Sequence, residues 1–332
     1  MHSKKLVHVR LSGFAFARRL LRRLRRQFNY RQSRRSRLLM TILTTILFLK
    51  LVYSGEREIV YRALPRLLRG LRRNVCINWT ARLRKAQSAP KYPNTSGFYD
   101  LRVISLNRTS GRKSRTISSI TRQGINYTMF AAIDGLRDLS AHSVQLYAGA
   151  KKRRRMRLAT KLSDSERTRL YDKYRRREFI SRATRSALHE RLRFGCYMSH
   201  VALWHILLEQ GTPFMIVLED DIELVDDFLP SFQRKLAYLP EDWGMVYLNG
   251  CFRHLGHNLG SGLFLSHGGL CTYGYAISAL AASIMLNGPA LNSEKPVDHM
   301  LDEAVMSGEI MAFHVNPPMV EVVANTVSTL AY

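Results

Sequence analysis

Short apolar runs, rich in β-branched residues, recur through the C-terminal two thirds of the chain. They lie at residues 101–108, 216–218, 244–248 and 272–277. Runs of this length predict buried strands, and the amphipathic stretches between them predict helices. Their alternation predicts an α/β fold with a mostly parallel central sheet.

One of these runs ends in three carboxylates. The apolar residues 216–218 are followed directly by Glu219, Asp220 and Asp221. Carboxylates at the end of a core strand face the crevice where α/β sheets bind ligands, and alternation places Glu219 and Asp221 on the same side. Two such oxygen ligands suit Mg²⁺ or Mn²⁺, and the ion can bridge a nucleotide diphosphate. An ordinary acidic turn is the structural alternative.

Other motifs flank this acidic triplet in a fixed order. They are Asn107-Arg108, Asp134-Gly135, Gly195-Cys196 with Ser199-His200, the residues 218–221, the run 273–278 and Pro296-Val297-Asp298. In this order the chain resembles glycosyltransferase family 25, the family of lipooligosaccharide β-galactosyltransferases and procollagen galactosyltransferases. The resemblance covers roughly residues 100–325.

This resemblance implies a GT-A-type nucleotide-sugar-binding fold, a UDP-sugar donor, usually UDP-galactose, and inversion at the anomeric carbon. Mn²⁺ (or Mg²⁺) would be held by Glu219 and Asp221, while Asp220 would bond the ribose or complete the metal site. The resemblance also suggests that Asn107 and Arg108, and with them Arg112, approach the nucleotide. Surface charge is the alternative for the two arginines.

Two further motifs are expected at the donor. Asp134 would contact uridine. Ser199 and His200 are expected to begin a helix, whose backbone N–H groups and dipole favour an anion. An ordinary serine cap followed by a core histidine is the alternative for this pair.

Inversion requires a carboxylate that takes the proton of the acceptor hydroxyl. Asp298 is the residue that matches the family motif, and Asp302 and Glu303, one helical turn further on, compete for the role. A helix N-cap is the structural alternative for Asp298. His314 is either a late metal ligand or a core histidine.

Charge is distributed unevenly along the chain. Residues 1–85 contain 23 basic and 2 acidic side chains, and residues 151–193 contain 17 and 5, whereas residues 194–332 contain 4 and 15. No finger, homeodomain or RNA-binding motif accompanies the basic segments, so no nucleic acid is expected as a partner. Residues 151–193 predict a basic helical insert with solvated ion-pair faces, or alternatively a surface for an acceptor or anionic lipid.

The N-terminal extension predicts attachment to a membrane. Residues 1–37 form a basic tail, residues 38–53 a short candidate signal anchor and residues 54–97 a stem, with the glycosyltransferase domain at 98–332. The excess of positive charge before the anchor predicts a single-pass type II protein, in the lumen of the endoplasmic reticulum or Golgi if the organism is eukaryotic. A cleaved signal, an organellar transit peptide and a soluble chain are the alternatives.

Cysteines and glycosylation sequons bear on the compartment. Cys251 and Cys271 flank a Gly-rich loop at 256–269 and could close it by a disulfide, or remain free thiols. Cys196 is expected to pack beside a tight turn at Gly195. Sequons begin at Asn78, Asn94, Asn107 and Asn126, of which the first two are the expected glycan carriers.

The sequence therefore predicts a metal-dependent inverting glycosyltransferase. It would move a hexose, with galactose as the expected sugar, from a UDP-hexose to a hydroxyl of a glycan, glycoprotein or glycolipid acceptor. The alternative from another class is a catalytically silent family relative that acts as an adhesion or scaffold protein at a membrane.

Overall fold

The structure, a computed structural model, describes residues 99–107, 113–176, 178–251 and 253–323. Within these ranges the elements are, in chain order, β1 (Tyr99–Ser105), α1 (Lys113–Arg122), β2 (Thr128–Ala131), α2 (Ala141–Tyr147), α3 (Ala150–Thr160), α4 (Asp164–Arg175), α5 (Arg182–Gln210), β3 (Phe214–Glu219), β4 (Ile222–Leu224), α6 (Phe228–Leu236), β5 (Met245–Cys251), β6 (Leu255–Gly260), β7 (Leu263–Ser266), β8 (Leu270–Ser278), α7 (Ala279–Leu286), α8 (Val297–Met306), β9 (Ala312–Val315) and β10 (Val320–Val322).

Eight of these strands form one mixed sheet in the order β2, β1, β3, β8, β5, β9, β7, β6. Strand β1 pairs in parallel with β2 and β3, and β5 pairs in parallel with β9. Only β7 and β8 run against the rest, so six of the eight strands point in one direction. The predicted α/β fold with a mostly parallel central sheet is confirmed. Strands β4 and β10 form a separate antiparallel pair.

Helices cover both faces of the sheet, which explains why residues 214–218 of β3 are all apolar. Met215 and Val217 join the hydrophobic core under α5, α7 and α8, while Phe214, Ile216 and Leu218 join the core under α1 and α6. All five side chains are buried. Burial of each such side chain stabilises the fold by about 1.5–3 kcal/mol, which is enough to fix the strand register.

Helix α5 corrects the boundary that we predicted from Gly195 and Ser199. Instead of beginning there, the helix begins at Arg182 after the N-cap Ser181 and runs unbroken to the left-handed C-cap Gly211. Gly195 is a mid-helix position at which the backbone of the 133–135 loop packs against α5. A Cβ atom there would lie 2.5 Å from Gly135 N, so glycine serves close packing and not a turn.

The basic insert 151–193 is built from α3, α4 and the first turns of α5, with a small core of its own. Two of its arginines are buried and not solvated. Arg191 Nε donates to Gly135 O at 2.8 Å, and Arg167 donates to Leu136 O. Burial, with the nearby Arg167 as a second cause, lowers the pKa of Arg191 to about 10. These two residues brace the loop that follows β2.

The Gly-rich segment 256–269 forms the hairpin of β6 and β7, where we had expected a loop. Cys251 and Cys271 are joined by a disulfide, with 5.5 Å between their Cα atoms. The tail, the candidate anchor at 38–53, the stem, and the sequons at Asn78 and Asn94 lie outside the described residues, so their assignments stay predictions. None of the described helices combines the length and apolarity needed to cross a bilayer.

Candidate functional site

Most of the predicted site residues meet at one edge of the sheet. The parallel strands β1, β2 and β3 all end at this edge, and β8, which is antiparallel to β3, begins there. Asn107 follows β1 and is exposed, Asp134 follows β2, and Glu219 ends β3. Arg108 and Arg112 lie outside the described residues, so their approach to a nucleotide stays a prediction.

The acidic triplet at the end of β3 is held by hydroxyl groups from both neighbouring strands. Ser105 Oγ, at the end of β1, donates to Asp220 Oδ2 at 2.8 Å. Thr272 Oγ1, near the start of β8, donates to Glu219 Oε1 at 2.8 Å. Asp220 and Asp221 are only 6% and 8% exposed, so the turn packs into the protein and is not an open surface loop.

Ser105 and Thr272 are site residues that sequence analysis missed. Each lies in a strand, where a small β-compatible residue raises no chemical expectation. Their role depends on strand pairing, because the bonds span 115 and 53 residues of sequence. Both residues do fall within runs predicted as strands, 101–108 and 272–277, which gave no chemical signal.

Asp298 lies in the first turn of α8, whose N-cap position is taken by Pro296. The N-cap alternative for Asp298 is therefore wrong. Asp298 Oδ1 accepts a hydrogen bond from His299 N at 2.8 Å, and Oδ2 accepts a long one from Cys271 N at 3.4 Å. The first turn of a helix favours a carboxylate, since the helix dipole is positive there.

Cys196 lies in α5, the helix that also carries Ser199 and His200. Burial is the main cause that raises the pKa of the Cys196 thiol, and the negative charges of Glu219 and Asp298 raise it further. Cys196 is the free cysteine of the described residues and packs against the core, as predicted.

Asp134 shapes the loop after β2. Its Oδ1 accepts from Leu136 N at 2.9 Å, and its own N–H donates to Asp138 Oδ2 at 2.8 Å. Ser199 Oγ accepts from Ile133 N at 2.9 Å and so fastens the same loop to α5. Ser199 is buried within the helix, which removes our argument from a helix N-terminus. The contact of Asp134 with uridine stays a prediction.

His200 also lies within α5 and supports the sheet. Its Nδ1 lies 2.8 Å from Tyr275 Oη of β8, and Trp204 Nε1 donates to the same hydroxyl at 3.2 Å. His200 is 1% exposed, and burial lowers its pKa to about 4. Ser199 and His200 therefore support the walls of the site in this structure, and direct contact with the donor stays a prediction.

His314 is a core histidine, which was the second of the two alternatives given for it. It is buried in β9, and its Nε2 lies 3.1 Å from Gly268 O. Burial is the main cause that lowers its pKa to about 4. Within the described ranges no three His, Cys, Asp or Glu side chains are placed to bind one metal ion, so His314 does not complete a metal site with the triplet.

Because His200 and His314 are buried, we expect the protein to lose stability in mild acid. Unfolded histidines take up protons below about pH 6.5, whereas His200 and His314 stay neutral in the folded state down to about pH 4. Because the unfolded state binds more protons in this window, the free energy of unfolding should fall as the pH drops from 6.5 towards 4. The slope is up to ~1.4 kcal/mol per pH unit for each histidine.

Urea unfolding followed by circular dichroism at several pH values between 7 and 5 measures this slope. His200→Gln should flatten it, whereas His142→Gln, which changes an exposed histidine of α2, should leave it unchanged. Equal slopes in the two variants would contradict the assignment.

The oxygen atoms at the acidic triplet fit a divalent cation in their chemistry. Mg²⁺ and Mn²⁺ prefer carboxylate oxygens, and Mg²⁺ is commonly held by one or two carboxylates together with substrate phosphates and water. Glu219 and Asp221 supply oxygen atoms of this kind.

The sequence of residues 99–301 matches glycosyltransferase family 25 (LPS biosynthesis protein), which is more than half of the 332 residues. The chain belongs to glycosyltransferase family 25. All the motifs at the carboxyl edge of the sheet, from Asn107 to Asp298, lie inside the matched range.

Three family 25 relatives show the range of this similarity. Procollagen galactosyltransferase 2 of Mus musculus is 25% identical over 48% of this chain and 22% of its own length. Procollagen galactosyltransferase 1 of Danio rerio is 25% identical over 64% of this chain and 32% of its own length. The probable inactive glycosyltransferase 25 family member 3 of Rattus norvegicus is 26% identical over 64% of this chain and 34% of its own length. The chain thus matches only about a fifth to a third of the length of these relatives.

Proposed function

We propose that this chain is an inverting, metal-dependent glycosyltransferase of GT-A type. It transfers a hexose, galactose in the first instance, from a UDP-sugar to a hydroxyl of a glycan, glycoprotein or glycolipid. The observation that carries the proposal is the contact of Asp298 and Glu219 with consecutive residues of β8, Cys271 and Thr272, inside the range matched to the family. The names of the galactosyltransferase relatives support the choice of sugar.

The chemistry divides between the two sides of this edge. On the donor side, Glu219 and Asp221 would hold the metal ion, and Asp220, fixed by Ser105, would bond the ribose or complete the metal site. A bound divalent cation would neutralise the charge that develops on the leaving diphosphate. Thr272 sets the orientation of Glu219 for this role.

On the acceptor side, Asp298 would take the proton of the attacking hydroxyl. Inversion by direct attack needs a base on the face of the sugar opposite the leaving UDP. Glu219 of β3 and Asp298 of α8 contact consecutive residues of β8, Thr272 and Cys271. Two separate carboxylates near each other are what a donor site and an acceptor base require.

A catalytically silent scaffold is the second candidate function. The observation that favours it is the similarity to a relative whose name describes it as probably inactive. Glu219, Asp220 and Asp298 are nevertheless present in this chain, together with the hydroxyl groups that orient the first two.

Donor turnover separates the two functions. The full-length chain is incubated with UDP-galactose, UDP-glucose and UDP-N-acetylglucosamine, with Mn²⁺ or with EDTA, and UDP release is measured. We expect release from UDP-galactose to be fastest and to need the metal. The absence of UDP binding and of UDP release from every one of these donors would favour the scaffold.

A further inference from the structure

Lys152 is a buried lysine that takes no part in the donor site or in the candidate base. It lies in the first turn of α3 and is only 2% exposed, whereas its neighbour Lys151 is exposed. Lysine is rarely buried because its ammonium group loses hydration, so a buried ammonium group needs polar partners. The partners of Lys152 show which part of the chain it holds.

The ammonium group of Lys152 contacts one carbonyl group and two aromatic rings. Its Nζ donates to Lys295 O at 2.8 Å. It also lies 5.4 Å from the ring centroid of Phe194 and 5.0 Å from that of Tyr197, both in α5. Aromatic faces attract a cation at such distances, and a charged donor makes a stronger hydrogen bond than a neutral one. The positive charge of Lys152 therefore strengthens its hold on the chain at Lys295.

The same turn of α3 also binds the side chain of the preceding residue, Glu294. The backbone N–H groups of Lys151 and Lys152 donate to the two carboxylate oxygens of Glu294 at 2.8 and 2.9 Å. A Cβ atom at Gly149, the N-cap of α3, would lie 2.2 Å from Glu294 Oε1, so glycine leaves room for this carboxylate. The N-terminus of a helix favours such an anion. Helix α3 thus holds residues 294–295 by both a side chain and a main-chain contact.

These contacts lie directly before the helix that carries the candidate base. Pro296 is the N-cap of α8, and Asp298 is in its first turn. Besides Lys152, Ser293 Oγ donates to Lys295 O, at the longer distance of 3.4 Å. Lys295 is joined to the first turn of α8 through Pro296, whose ring fixes φ and leaves this connection little freedom. A displacement of Lys295 should therefore displace Asp298 as well.

We propose that Lys152 is a positioning residue for Asp298. Its ammonium group holds Lys295 O and thereby sets the place of the first turn of α8, in which Asp298 takes the proton of the acceptor hydroxyl. The basic insert then serves the reaction by bracing the helix that carries the base. This inference rests on the proposed function and adds which residue outside the site orients its base.

The charge of Lys152 should be visible in the pH dependence of the reaction. Burial is the main cause that lowers the pKa of Lys152 from 10.5 to about 8. Above this pH the neutral amine keeps a weaker hydrogen bond and loses its attraction to the two rings, so we expect kcat to fall as the pH rises through about 8. Tyr197 stays neutral in this range because burial raises its pKa. The charged groups around Lys152 are Glu190 and Glu294, which raise its pKa, and Arg193 and Arg155, which lower it.

The stability of the protein should respond to the same titration in the opposite direction. Between pH 8 and 10.5 the unfolded lysine is still charged, whereas Lys152 in the folded state is neutral. Because the unfolded state binds more protons in this range, titration of Lys152 makes the free energy of unfolding rise with pH. A fall in kcat above pH 8 without a loss of stability therefore reports displacement of the base and not unfolding.

Lys152→Met tests the positioning role, because it removes the charge and keeps an unbranched side chain. In the full-length chain we expect kcat for UDP release at pH 7 to fall roughly tenfold, the effect of one charge-assisted hydrogen bond, while KM for the UDP-hexose is unchanged. The fall in kcat above pH 8 should be absent from this variant, and circular dichroism checks that it is folded. Lys151→Met is the matched control, because Lys151 is exposed and its backbone makes the contact with Glu294.

Glu294→Gln is a second variant, at an exposed position. It removes a negative charge that raises the pKa of Lys152, so the midpoint of the fall in kcat should move to lower pH. If folded Lys152→Met keeps the kcat and pH profile of the wild type, or if Glu294→Gln leaves the midpoint in place, the positioning role is refuted while the proposed function stands. If the wild type neither binds UDP nor releases it from a UDP-hexose, the proposed function itself fails.

Discussion

Replacing Asp298 by asparagine is expected to lower the rate of UDP release from the preferred UDP-hexose by about 10²- to 10⁴-fold. The amide keeps the shape of the carboxylate, and its oxygen can still accept from His299 N, while the contact of Cys271 N, already long at 3.4 Å, is lost. It cannot take a proton from the attacking hydroxyl. The loss should therefore appear in kcat, while the affinity for UDP, which we propose to bind beside Glu219, should not change.

Glu303→Gln provides the matched control on the same helix. Glu303 is exposed and forms an ion pair with Lys295 at 2.6 Å, a contact of the kind that contributes only ~0–1 kcal/mol. We expect its activity to equal that of the wild type. Asp298→Asn with a kcat within about threefold of the wild type would exclude Asp298 as the base. If Asp302→Asn lowered kcat in its place, the base would lie one helical turn further along α8.

Glu219→Gln is expected to reduce turnover with Mn²⁺ by about 10²- to 10³-fold, the usual cost of removing one group that stabilises transition-state charge. The substitution keeps an oxygen that can accept from Thr272, so the strand contact at 2.8 Å can persist. It removes the negative charge that would hold the cation. The affinity for UDP should consequently lose its dependence on Mn²⁺.

The control for this second substitution is Glu223→Gln. Glu223 lies four residues further on, in β4, with Glu321 as its register partner in β10. It should tolerate the change without a loss of turnover. Wild-type activity that is the same in Mn²⁺ and in EDTA would refute metal dependence, and full activity of Glu219→Gln would place the cation elsewhere.

The sequence predicted the fold class and the strand that carries the acidic triplet, because an apolar run that ends in carboxylates is a local pattern. It did not predict the supports of that triplet. Ser105 and Thr272 reach Asp220 and Glu219 only through pairing between strands distant in sequence. No periodicity in a single chain specifies which strands become neighbours.

Helix α5 illustrates a second limit. A glycine before a serine is a frequent signal for a loop and a helix start, and at Gly195 and Ser199 it led to the wrong boundary. Tertiary packing explains the difference, since the loop after β2 lies so close to α5 that only glycine fits at that position. Arg167 was likewise predicted as solvated charge, but it is buried with its guanidinium on Leu136 O.

The reversed direction of β8 links the two halves of the candidate reaction. Two consecutive residues of this strand donate hydrogen bonds to the two candidate groups. Cys271 N donates to Asp298, and Thr272 Oγ1 donates to Glu219. A shift of β8 by a single residue would exchange its faces and displace both contacts together. The same shift would then impair both the departure of UDP and the deprotonation of the acceptor. A register of β8 that serves one step therefore also fixes the geometry of the other.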